Sequence, residues 1–238
     1  MKVSVIIPTL NEAGNIGAVI SDFNPNIVDE CIVIDGGSTD ETVSIAQSLG
    51  ARVVIEVERG YGRACAAGVR AASGEILVFM DGDGANVADD IQHLLKPILK
   101  GRADLVLGSR MRGRMQASAM PSHQYFGNWL AGVLVRRLYG VRVTDLAPFR
   151  AIRADKLDTL NMLDMTYGWP TEMLVKAIRL GLRIEEISVA SRMRRSGRSK
   201  ISGTLKGTLQ AAYHILSTTF KFARQSQLVR SAQRKTRV

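Results

Sequence analysis

The chain has little sulfur and few aromatic rings. Two of its 238 residues are cysteine, Cys31 and Cys65, and 5% are Phe, Trp or Tyr. No CxxC and no Cys/His spacing occurs, which excludes a zinc ribbon and a disulfide framework. His93, His123 and His214 stand apart from one another, so no histidine metal site is expected. No G-x-G-x-x-G follows the first apolar run, which removes the dinucleotide fingerprint. No apolar run approaches the ~20 residues of a membrane span. The opening MKVSVIIPTLNE lacks the long apolar core of a signal peptide and looks like a first strand. A cytosolic, reducing location is the expectation.

One sign of charge is also missing from the C-terminal end. From Ile187 to Val238 there is no Asp or Glu, against 12 Lys or Arg. The whole chain carries +10, so the first 186 residues hold 20 basic against 22 acidic residues, a net of −2. Such a basic end seeks phosphate, on a nucleic acid, a nucleotide substrate or an anionic membrane. A nucleic-acid partner is not expected. The basic residues are not interleaved with aromatics, and no recognised DNA or RNA motif appears.

What is present is a regular alternation. Apolar runs at Lys2 to Ile7, Cys31 to Ile34, Arg52 to Val57, Ile76 to Met80 and Asp104 to Leu107 read as strands. Helical patterns fall between them, at Glu12 to Asp22, 41 to Leu49, Tyr61 to Ala72 and Val87 to Leu99, the last strained near Pro97. Asn11 is placed to cap the first helix, and Ser38-Thr39-Asp40-Glu41 has the spacing of a capping box. Later come helices at Gln124 to Tyr139, 169 to Leu180 and Leu205 to Phe222, and a strand at Arg183 to Val189. Short links between alternating strands and helices predict parallel βαβ units in an open α/β sheet.

Such sheets bind ligands outside the C-terminal ends of their strands. Asn11, Asp35, Asp81, Asp83 and Arg110 all fall at such ends. The stretch ILVFMDGDGAN concentrates the chemistry. A buried run delivers Asp81 and Asp83, with Gly82 and Gly84 permitting a tight turn. Two readings stand for it alone: a surface turn, or two carboxylates sharing a divalent cation. Convergence with the other strand-end residues favours the second.

Seven motifs carry a resemblance: PTLNE, IDGGSTDET, FMDGDG, GSRMRG, TDLAPFRAIR, GWPTEMLVKA and SGRSKISG, in that order. Over roughly residues 2–210 the chain resembles glycosyltransferase family 2 enzymes of the GT-A fold. In pattern it is most similar to synthases that move mannose or glucose onto dolichyl or another polyprenyl phosphate. The resemblance implies a single Rossmann-like GT-A domain over residues 1–203, with a mixed, mostly parallel sheet flanked by helices. A C-terminal amphipathic helix (204–222) and a basic tail (223–238) follow.

It also implies site roles. Pro8, Thr9, Asn11 and Glu12 would border the base and ribose of a UDP- or GDP-hexose, and Asp35 would touch the base or ribose. Many relatives have two carboxylates there, whereas this chain has Asp35-Gly36. Arg63 would lie near the phosphates. Asp81-Gly82-Asp83 would be the DxD motif holding Mg²⁺ or Mn²⁺ against the diphosphate. Arg110, Arg150, Arg192, Arg194, Arg198 and Lys200 are candidates for phosphate contacts.

The acceptor is read from what a hydroxyl would need. A sugar hydroxyl needs a general base, and relatives with such acceptors commonly show an Glu-Asp type pair where this chain reads Thr171-Glu172. Glu172 is the candidate base. A phosphate acceptor needs cations instead, and arginines outnumber spare carboxylates here. A polyprenyl phosphate, taken at the cytoplasmic membrane face with inversion at the sugar, is therefore the expectation. The two late amphipathic helices are open to two readings, interfacial or core, and the tail likewise. Asp145 has three candidate tasks: orienting Arg150, serving the acceptor, or making a turn. Trp169 either stacks on a sugar or isoprene unit or packs in the core. Oligomer formation is left open.

Overall fold

The structure, a computed structural model, describes residues 1–113, 122–146, 148–197, 217, 218 and 221, with 122–126 as backbone only. Its sheet has seven strands: β1 (Val3–Thr9), β2 (Glu30–Asp35), β3 (Arg52–Ile55), β4 (Ile76–Phe79), β5 (Leu105–Ser109), β6 (Arg150–Arg153) and β7 (Ile184–Ser188). The helices are α1 (Ala13–Ser21), α2 (Thr42–Ser48), α3 (Tyr61–Ala71), α4 (Ile91–Leu99), α5 (Ser122–Tyr139), α6 (Ala154–Leu160) and α7 (Trp169–Arg179). A 3₁₀ turn, Ala88–Asp90, leads into α4, which retains Pro97 inside it.

The strand order is β3-β2-β1-β4-β6-β5-β7. All pairs are parallel except those made by β6, which runs antiparallel between β4 and β5. The sheet is thus mixed and mostly parallel, as expected. TDLAPFRA enters β6 directly, and α6 was not foreseen because ADKLDTL is short and largely polar.

Alternating side chains of each strand feed two cores. Val5, Ile7, Val33, Val78 and Ile16 pack on one face, with α1 and α4. Ile6, Ile32, Ile34, Leu77, Phe79 and Met173 pack on the other, with α3 and α7. Every residue of β4 is buried, each contributing about 1.5–3 kcal/mol if large and apolar. That is why Ile76 to Phe79 reads as one continuous apolar run: a central strand has no solvent face.

Pro8 sits inside β1, where the sequence suggested the strand would stop. A strand residue turns its N–H and C=O towards the same neighbour. Ile6 faces β4, accepting from the Met80 N–H, so Pro8 faces that way too. Pairing with β4 has ended by then, at Ile6 opposite Phe79, so no ladder bond is lost.

Arg198, Lys200, most of the expected 204–222 helix and the 223–238 tail lie outside the described residues. Thr218 is described, and its hydroxyl donates to Asp164 Oδ2 at 2.9 Å, next to the start of α7. No helix among the described residues is long and apolar enough to cross a membrane.

Candidate active site

The site forms where β1, β2 and β4 end together. Thr9 lies opposite Asp35 in the β1–β2 register, and Asp81 follows two residues after Phe79. Gly82 turns against β1: a Cβ there would lie 2.6 Å from Thr9 Cγ2 and 3.2 Å from Ile7 Cγ2. Gly84 has φ +76°, a region that strongly favours glycine. Asn86 Oδ1 accepts from the Asp81 N–H at 3.3 Å, and Asp83 Oδ1 accepts from the Ala85 N–H at 3.0 Å. The segment after β7 then pins the turn from outside. Arg192 N–H donates to Ala85 O at 2.9 Å, and Ser191 bridges Asn86.

Burial, and then the adjacent Asp83 carboxylate, push the Asp81 carboxyl well above the usual carboxylate range. Glu12 adds to this, while Arg110 and Arg194 oppose it. Two carboxylates crowded in a place of low dielectric make a site where a divalent cation is stabilised. Among the described residues no group of three or more His, Cys, Asp or Glu is placed to hold a metal. The turn offers two carboxylates, a number that fits an ion completing its shell with substrate phosphate and water, as Mg²⁺ characteristically does.

The arginines divide into two groups. Arg110 reaches Asp145 as a fork, Nε to Oδ2 at 2.8 Å and Nη2 to Oδ1 at 2.9 Å, and its charge acts on Asp81 and Asp83. Asp145 is fully buried, and its N–H and that of Thr144 donate to Glu186 Oε1. Asp145 thus orients Arg110, a partner outside the tasks considered for it, and its charge also acts on Arg150. Arg194 bridges Glu12 and the Asp83 side of the site, with Nη1 4.0 Å from Asp83 Oδ2. Arg192 is exposed beside Ala85. Arg63 is at the surface on α3, paired with Glu58 at 2.5 Å.

Arg150 belongs elsewhere. It is 1% exposed, and it donates to the carbonyls of Pro170 (2.7 Å), Pro148 (3.3 Å) and Leu146 (3.3 Å). Burial lowers its pKa to about 10. It ties Leu146 and Pro148 to the start of α7.

Glu172 has a similar fate. It is fully buried, it accepts from the N–H groups of Leu163 and Asp164, and it pairs with Lys176 at 2.7 Å. A carboxylate so enclosed cannot reach an acceptor hydroxyl, so it is not the expected general base. Glu172→Gln is expected to lower stability by about 1–3 kcal/mol, with turnover per folded molecule preserved. Urea melts and initial rates on the same preparation check this. Lost turnover at unchanged stability would restore the base.

Two capping expectations also change. Asn11 does not cap α1; it sits at φ 50°, and its Oδ1 accepts from the Thr39 N–H at 2.8 Å, joining the loops after β1 and β2. Ser38 does not form a capping box. Its hydroxyl donates to Asp35, whose Oδ2 also accepts from the N–H groups of Gly37 and Ser38 at 2.9 and 2.7 Å. Asp35 is 1% exposed and shapes the loop after β2. Trp169 is buried, in the packing alternative. Both cysteines are free, and burial pushes the Cys31 thiol up to about 12.

The sequence reading passed over Asn15, Asn86, Glu186 and Tyr61. The Tyr61 hydroxyl is buried beside the Cys65 thiol, close enough to feel Asp81 and Arg150. Only Asn86, inside the DGDGAN stretch, carried a local signal.

A mixed α/β sheet with paired carboxylates and arginines at its strand ends has the architecture of a GT-A transferase. The profile of Glycosyl transferase family 2 matches residues 4–160, and the chain belongs to that family. An uncharacterized glycosyltransferase of Mycobacterium tuberculosis is 36% identical over 209 residues, covering 88% of this chain and 94% of that protein. The undecaprenyl-phosphate mannosyltransferase of Micrococcus luteus is 29% identical over 221 residues, covering 87% and 90%. Among solved structures, glucosyl-3-phosphoglycerate synthase of Mycobacterium tuberculosis, in complex with Mn²⁺, UDP and phosphoglyceric acid, has a TM-score of 0.76. It shares 27% identity, and the match covers 93% of this chain and 78% of that one. The same enzyme is also known with Mg²⁺ and UDP.

Proposed function

We propose that this glycosyltransferase moves a hexose from a nucleotide-diphosphate sugar to a polyprenyl phosphate, at the cytoplasmic face of a membrane, with inversion. The observation that carries the acceptor half is the absence of a free base at Glu172: its carboxylate is spent on two backbone N–H groups and Lys176. A phosphate oxygen attacks as an anion and needs cations to hold it, which the basic segment after β7 would supply. The mannosyltransferase relative, whose acceptor is undecaprenyl phosphate, supports this reading.

Asp81 and Asp83 would hold Mg²⁺ or Mn²⁺, which when bound neutralises the leaving diphosphate as a Lewis acid. The ends of β1 and β2 and the loops that follow them, Pro8 to Asn11 and Asp35 to Ser38, would border the nucleoside, with Glu12 behind them holding Arg194. Asp145 keeps the Arg110 fork in place beside the carboxylates. Arg192, Arg198 and Lys200, in the basic segment that follows β7, are proposed contacts for the acceptor phosphate. Membrane contact is supported by α5, where Trp129, Arg136, Arg137 and Leu138 are exposed, and by the absence of any Asp or Glu from residue 113 to 143. An amphipathic surface of aromatic and cationic side chains suits an anionic bilayer.

A second reading is favoured by the structural neighbour with phosphoglyceric acid: a small phosphorylated acceptor in water. One panel separates the two. Nucleotide sugars (UDP-glucose, GDP-mannose) with Mn²⁺ are offered with undecaprenyl phosphate in anionic vesicles, or with 3-phosphoglycerate. Product only with the lipid is the expected result. Product only with phosphoglycerate selects the second reading. No transfer to either with any donor sinks both. A donor that binds should also raise the melting temperature, by about 2.7 kcal/mol of added stability at a hundred times its Kd.

A further inference from the structure

Glu12 belongs to PTLNE, a motif whose family role would put it against the nucleotide. Its carboxylate is occupied otherwise. Both oxygens accept from Nη2 of Arg194, at 2.8 and 2.7 Å, and Oε2 also accepts from Asn15 Nδ2 at 2.6 Å. Glu12 is only 8% exposed, and its N–H donates to Thr42 Oγ1 at 2.8 Å. The carboxylate is therefore fixed by Asn15 and Arg194, and the Glu12 backbone by α2.

Arg194 is fixed on two of its three nitrogens. Nη2 is held by Glu12, and Nε donates to Ser196 O at 3.2 Å. Asn15 completes the clamp: its Oδ1 accepts from the Ser196 N–H at 2.9 Å, and its Nδ2 donates to Ser196 O at 3.2 Å. The remaining nitrogen, Nη1, faces Asp83 Oδ2 at 4.0 Å. An arginine held this way has lost its rotamer freedom before any ligand arrives, and it presents a free edge beside the carboxylates. The segment after β7 and the start of α1 are separated by some 180 residues of sequence, and this clamp joins them.

We propose that Glu12, assisted by Asn15, is a positioning residue that sets the free edge of Arg194 against Asp83 to receive an oxygen of the donor diphosphate. Glu12 itself does not contact the nucleotide. The inference rests on the nucleotide-diphosphate donor proposed above.

A double-mutant cycle on the full chain tests it. The Kd of Mn²⁺ with UDP, and of Mn²⁺ with GDP, is measured by calorimetry for wild type, Glu12→Gln, Arg194→Ala and the double variant. Donor and acceptor KM are followed separately. Glu12→Gln should weaken the preferred nucleoside diphosphate about five- to twentyfold and raise the donor KM, leaving acceptor KM alone. In the Arg194→Ala background the same change should have no further effect, because it acts only through Arg194. Asn15→Ala leaves the Glu12–Arg194 pair intact and gives a second route should Glu12→Gln fold poorly. It should weaken binding less, and again only when Arg194 is present. Multiplying effects of Glu12→Gln and Arg194→Ala would show direct contact and overturn the proposal, as would wild-type binding in Glu12→Gln. A wild type that binds neither nucleotide overturns the donor reading instead.

Discussion

Asp83→Asn is expected to lower kcat/KM by roughly a thousandfold or more, since a cation neutralising a diphosphate leaving group supplies several kcal/mol. Asp81→Asn should do the same. The turn itself should survive, because asparagine keeps an oxygen that can accept from the Ala85 N–H in place of Asp83 Oδ1. Stability should move the opposite way to activity. Asp81 is held above the ordinary carboxylate range by burial and by Asp83, so the folded state binds a proton at this position more tightly than the unfolded chain does. Stability of the wild type is therefore lost as pH rises from the unfolded carboxylate value through the folded one. Asp81→Asn removes that loss. Without ligand it should melt above the wild type at neutral pH, and the difference should vanish at acid pH, where the wild-type carboxyl is protonated. With Mn²⁺ and nucleotide the order should reverse, since only the wild type gains from binding. Melting curves at several pH values, with and without ligand, read all of this. Unchanged turnover in both variants would remove the metal from the proposal.

Asp145→Ala is expected to cost about 3–5 kcal/mol of stability and most of the turnover, because it leaves the Arg110 guanidinium without its buried partner. Asp145 is fully buried and accepts three bonds from Arg110, at 3.0 Å from the N–H and at 2.8 and 2.9 Å from the fork. The released arginine no longer has a fixed place beside Asp81 and Asp83. Stability and activity can be separated by changing both partners. Asp145→Asn with Arg110→Met should recover much of the stability, since no charge is left unpaired, while turnover stays low. Urea denaturation with initial rates checks each variant. A single-variant cost below about 1 kcal/mol would mean that the pair behaves as a surface salt bridge.

The site was legible in the sequence where chemistry and local structure coincide. Asp81 and Asp83 end a strand buried on both faces, and carboxylates at such a point announce themselves. Arg110, ending β5, was found by the same logic. The pairings were not legible. Asn11 and Ser38 each have the residue type of a helix cap, and each is used instead to knit the loops after β1 and β2. Arg150 and Glu172 lie inside motifs of the family pattern, yet burial commits one to three carbonyls and the other to a loop and a lysine. A motif states which residue is kept at a place, and both ligand contact and architecture keep polar residues.

Hydrophobic alternation along the chain, the strand-end carboxylates and the charge asymmetry follow from local order, and they sufficed for the α/β class and for placing Asp81 and Asp83 together at the strand ends. What only tertiary structure decided is which partner each polar group takes. Asp145 chose Arg110 across 35 residues, and Glu12 chose Arg194 across 182. The physical reason is that a buried charge must be paired, and its partner is the nearest complementary group in space rather than along the chain. In an α/β sheet the strands bring distant segments to one edge. There, Asp81 and Asp83 lie together at the strand ends, while Asp35, Asp145 and Glu172 are consumed in holding the loops that surround them.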